Sequence, residues 1–231
     1  MFTVPIPDLI MWFIVFLFSL SFHESAHAWT SEKFGDYTGR QQGRITLNPI
    51  AHIDPIGTLL LPLIGFTQLG FMMFGWAKPV QTNPLLWRDK TKANIMVSAA
   101  GPISNLILAT IAFVVIKVLL LSGVMGPPAI LNTFHVIGPL ADSSSFMEPL
   151  ATLLSVMLLL NITLAVFNLV PVPPLDGSHV LESLLPYEMA QAYDQIRPYG
   201  FILLLALIWL GVFGWIINPI FNFVIRLLYG I

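Results

Sequence analysis

The chain contains no cysteine, which excludes disulfides, thiolate metal ligands and a cysteine nucleophile. Charge is scarce as well. Only 10% of the 231 residues are charged, against about 25% in soluble domains, and the net charge is -2. With no basic excess there is no electrostatic footprint for nucleic acid, and none is expected as a partner. The first eight residues hold no Lys or Arg, and no small-x-small pattern follows the first apolar run, so a secretory signal peptide is not expected.

What the chain does have is apolar length. Hydrophobic residues make up 56% of it and the mean hydropathy is +0.83, so the lipid bilayer is its solvent. The expected fold is all-α and polytopic, one membrane domain with spans near 8–33, 93–121, 150–170 and 199–217. Eighteen prolines and sixteen glycines predict broken spans, which a membrane tolerates where the backbone is buried in protein.

Charge orients these spans. Lys33, Arg40 and Arg44 follow the first, while its leading flank carries only Asp8, so the N-terminus is expected outside and the far end in the cytoplasm. Lys78, Arg88, Lys90 and Lys92 flank the apolar run 56–76 on its other side. A complete crossing would put one basic cluster outside, so region 36–80 is expected to dip into the membrane and return, with short strands or a hairpin before the run. The stretch 122–149 has Asp142 and Glu148 but no Lys or Arg, as an external loop should.

The densest chemistry lies at the inner end of the first span, in His23-Glu24-Ser25-Ala26-His27. Positions i and i+4 share a helix face, so both imidazoles can reach one cation, with Glu24 beside them as a general base for an activated water. Ionisable groups within a span are expensive and are kept mainly where they work. The third span ends in Asn168-Leu169-Val170-Pro171-Val172-Pro173-Pro174-Leu175-Asp176-Gly177, where three prolines in four residues stop the helix. Spans one and three run inward and span two outward, so His23, His27 and Asp176 arrive at one depth. Two imidazoles and a carboxylate suit one zinc ion per chain with a position left open. Asp176 can also cap a new helix.

These motifs, with Gly101-Pro102-Ile103-Ser104-Asn105 between them, resemble the site-2 protease family of intramembrane zinc metalloproteases. The resemblance covers most of residues 8–180. It implies a zinc site of His23, His27 and Asp176, Glu24 as the catalytic residue, a core of three transmembrane helices, and transmembrane proteins or peptides as substrates. Asn105 and Asn168 are candidates for oxyanion stabilisation or substrate positioning, against interhelical hydrogen bonding as the commoner use of such amides. His52 and Asp54 are candidates for support of the metal site, or simply a loop end and a helix cap. The competing functions are a metal transporter with a transit site and an inactive homologue that binds membrane proteins. A prokaryotic plasma membrane is the expected location.

Overall fold

A computed structural model describes residues 5–64, 75–132, 134–140 and 146–230. Helix α1 spans Ile6–Lys33, with Pro7 and Asp8 in its first turn and Lys33 in its last. Proline has no N–H to lose there, and the two charges complement the helix dipole. The chain leaves α1 through Gly35 at φ +107°, a backbone conformation that favours glycine.

The region after α1 is helical turns rather than strands. Helix α2 is the single turn Thr38–Gln41, a 3₁₀ turn covers Pro49–Ala51, and a π-type turn over Pro55–Leu60 runs into α3, Leu61–Ile64. No strand lies in 36–55, because side chains cap the backbone there instead. Asn48 accepts from Ile50 N, and Asp54 accepts from Ile56 N and Gly57 N. Of the segment expected to dip into the membrane, residues 65–74 lie outside those described.

Helix α4, Lys90–Leu121, starts at Asp89, whose side chain accepts from Lys92 N. After it, β1 (Met125–Gly126) pairs antiparallel with β2 (Gly138–Pro139), which gives the expected external loop a folded base. Helix α5 covers Met147–Leu169, and three shorter helices follow: α6 (Asp176–Leu184), α7 (Tyr187–Asp194) and α8 (Gly200–Trp209). Helix α9 covers Val212–Tyr229. The helix expected over 199–217 is therefore broken. Gly211, at φ +72°, ends α8 and starts α9, and it is α9 that is long and apolar enough to cross.

The core is the triangle α1, α4 and α5. Ala109, Ala112 and Ile116 recur at helical spacing on α4 and pack on Leu158, Leu159 and Ile162 of α5. Small residues let the two backbones approach closely, which is how helices associate where lipid removes the hydrophobic drive. The opposite face of α4 exposes Ile103, Leu106, Ile107, Ile111, Val114 and Val118, an apolar surface suited to lipid. Lys117, further along α4, is tied to α9. Its Nζ donates to the Leu227 and Leu228 carbonyls at 2.9 and 2.6 Å, placing a cation at the C-terminal end of α9.

Candidate metal centre

Serine and alanine between the histidines leave the motif face of α1 narrow enough for other segments to pack close. Ser25 Oγ bonds the carbonyls of Thr46 and Arg44, which ties the loop after α2 to the motif. On the other side the partner is glycine. A Cβ on Gly101 would lie 2.4 Å from His27 Nε2 and 2.5 Å from His23 Nε2, so α4 can pass the imidazoles only without a side chain there. Asp176 comes from the proline-broken turn. It is the first residue of α6, not its cap, and its carboxylate is left to the site.

The three side chains converge. His23 Nε2 and His27 Nε2 are 3.0 Å apart and lie 3.2 and 3.4 Å from Asp176 Oδ2. His27 Nδ1 donates to the Val97 carbonyl at 2.7 Å, and His23 Nδ1 donates to Asn105 Oδ1 at 2.7 Å. A neutral imidazole has one N–H, so both Nε2 atoms bring lone pairs. Asp176 Oδ2, buried, has no hydrogen-bond partner. Three acceptors facing one point without a proton between them repel unless a cation sits among them. The donor set of two imidazole nitrogens and one carboxylate oxygen suits zinc with an open position.

Glu24 lies beside this point. Its Oε2 accepts from Val80 N at 3.0 Å, so the irregular segment 75–83 holds the carboxylate. That segment is pinned by Lys78 N to the His52 carbonyl and by Asn83 N to Asp36 Oδ2, both at 2.8 Å. Asp36 is fully buried and also accepts from Ser31 Oγ and Thr38 N. Burial pushes its carboxyl pKa up, but these hydrogen bonds outweigh that and hold it below the ordinary value. The sequence offered no signal for Asp36, since its partners come from as far away as residue 83.

The remaining candidates take other places. Asn105 is fully buried, and both ends of its amide are engaged, by His23 and by Asn161. Asn168 donates to the Leu164 carbonyl and borders the cavity described below. His52 is buried with Nε2 donating to the Thr46 carbonyl at 3.0 Å, and burial lowers its pKa. Asp54 caps the π-type turn. Among the described residues, only His23, His27 and Asp176 form a cluster with metal-ligand spacing.

A cavity of about 2030 Å³, bounded by the described residues, opens from the metal centre. Trp12, Phe16 and Leu20 of α1, Val156 and Phe167 of α5 and Phe213 of α9 line it, so an apolar chamber leads to a polar site.

Four membrane-length helices and a His-His-Asp cluster define an integral membrane protein with a candidate metal centre. The chain belongs to Peptidase family M50, the site-2 protease family, whose model matches residues 11–210. It is 36% identical over 209 residues to "Putative zinc metalloprotease YwhC" of Bacillus subtilis, covering 90% of this chain and 84% of that one. It is 32% identical over 192 residues to "Putative zinc metalloprotease Rip2" of Mycolicibacterium smegmatis. The Rip2 of Mycobacterium tuberculosis strain H37Rv is 30% identical over 191 residues. The match covers 83% of this chain in both, but only 64% and 63% of the two Rip2 chains. No solved structure matches the chain significantly.

Proposed function

We propose that the protein hydrolyses peptide bonds within or next to transmembrane segments of membrane proteins, with Glu24 as general base and His23, His27 and Asp176 as zinc ligands. The observation that carries this reading is the meeting of His23 Nε2, His27 Nε2 and an Asp176 carboxylate oxygen beside Glu24 at the head of an apolar chamber. Zinc, when bound, polarises the scissile carbonyl and lowers the pKa of the attacking water. Glu24 takes the proton from that water and delivers it to the leaving nitrogen. The Val80 N–H holds one oxygen of the Glu24 carboxylate and so restricts how that side chain can turn. The apolar walls suit a membrane-derived chain, whose peptide bonds are shielded while helical and must unwind to be attacked.

Lys33, Arg40, Lys78, Arg88, Lys90 and Lys92 all flank the histidine-bearing end, which supports a cytoplasmic site in a bacterial plasma membrane. Incubating detergent-purified protein with single-span membrane peptides and with soluble unfolded peptides, and mapping cuts by mass spectrometry, tests the substrate class. Cuts inside or beside the spans are expected. Efficient cleavage confined to the soluble peptides would contradict the proposal.

A further inference from the structure

Asn161 is fully buried on α5 and faces both α1 and α4. Its Nδ2 donates to the Met157 carbonyl and to Ser19 Oγ, each at 2.9 Å, while its Oδ1 accepts from Asn105 Nδ2 at 2.9 Å. Asn105 Oδ1 in turn accepts from His23 Nδ1. The direction of this chain is determined at one end. A backbone carbonyl only accepts, so the Met157 carbonyl selects the NH₂ end of Asn161. The other end is then oxygen, Asn105 must turn its NH₂ toward it, and the Asn105 oxygen must face His23. The imidazole proton is thereby held on Nδ1.

We propose that Asn161 is a positioning residue for the metal centre: relayed through Asn105, it sets the His23 tautomer that presents an Nε2 lone pair to the cation. It touches neither metal nor substrate, and the inference rests on the zinc-site reading above. Without Asn161 the Asn105 amide loses its reason to point one way. A flipped amide would offer N–H to Nδ1 and move the proton to Nε2, where the metal must bind. Outer partners of ligand histidines commonly carry such a role.

The test is zinc affinity, measured by chelator competition on the full chain in detergent, with the unfolding temperature of the zinc-free protein as the control for folding. Asn161→Leu is expected to weaken zinc binding roughly 10- to 100-fold. Adding Asn105→Asp should return affinity to the wild-type range, because a carboxylate accepts from His23 Nδ1 whichever way it is turned. Asn161→Asp, neutral in its buried place with its O–H donated to the Met157 carbonyl, keeps an oxygen toward Asn105 and should retain zinc, which serves as the test if the leucine variant does not fold. Wild-type affinity in Asn161→Leu, absence of rescue in the double variant, or zinc loss in a stably folded Asn161→Asp would each overturn the relay. A wild-type protein that binds no zinc would overturn the zinc-site reading and the relay with it.

Discussion

The molecule places histidine among carboxylates at both ends of the helix bundle, and the two clusters differ in what faces the imidazole. At one end, His23 and His27 turn their Nδ1–H groups outward to Asn105 and Val97 and bring Nε2 to 3.2 and 3.4 Å from Asp176. At the other, His135 Nε2 is 3.9 Å from Asp8 and 3.7 Å from Glu148, whose side chain is 58% exposed, and it lies 3.3 Å from the Thr152 hydroxyl. The same residue types thus form a cluster with metal-ligand spacing in one place and a loose polar contact in the other. His135 also has an outer contact, Nδ1 to Asn132 Oδ1 at 3.3 Å, so what separates the clusters is convergence and burial: two buried imidazoles meet on one carboxylate oxygen in the first, while His135 stands alone with longer contacts in the second.

Matched substitutions break this comparison most strongly. Asp176→Ala should weaken zinc binding by more than the roughly 100-fold that loss of a supporting hydrogen bond costs, and abolish cleavage. Glu148→Ala at the other end should leave zinc content at the wild-type level. Equal loss from both would mean that the clusters are not distinct. Metal analysis of the purified variants decides it.

Gly101→Ala sharpens the same point by moving the ligands without removing one. A methyl 2.4 and 2.5 Å from the two Nε2 atoms must displace them, and roughly a 10- to 100-fold fall in zinc affinity is expected. The lipid-facing change Ile107→Ala on the same helix should leave affinity unchanged.

The smallest expected effect concerns the support of Glu24. Asp36→Asn puts an NH₂ or a weaker acceptor where Ser31, Thr38 and Asn83 donate, and should cost about 1–3 kcal/mol of stability at neutral pH. Because the folded protein holds the Asp36 pKa below its unfolded value, the unfolded state binds more protons in acid. The stabilisation is therefore present above about pH 4 and is lost as pH falls through the folded value. Thermal unfolding in detergent should show the gap between wild type and Asp36→Asn closing in that window. A gap independent of pH would contradict the assignment.

The parts legible in the sequence are those encoded locally. His23, Glu24 and His27 lie within five residues, and the prolines before Asp176 announce a broken helix wherever they occur. The first three spans follow from apolar length alone. The break at Gly211 was hidden because the apolar run continues through it, and hydropathy does not register helix ends. Gly211 itself, two residues beyond the end of α8 and of the type that adopts the left-handed cap, was the signal available. Asp36 and Asn161 could not be read in advance, since their roles depend on partners 47 and 56 residues away. The loop over 36–55 misled because capped turns and short strands draw on similar residues.

The most direct test of the central claim is the zinc content and membrane-peptide turnover of Glu24→Gln beside wild type. The amide is nearly isosteric, keeps an oxygen that can accept from Val80 N–H, and is not basic enough to take a proton from water. The account predicts about one zinc per chain in both proteins and turnover only in the wild type. Turnover by Glu24→Gln at the wild-type rate would contradict it.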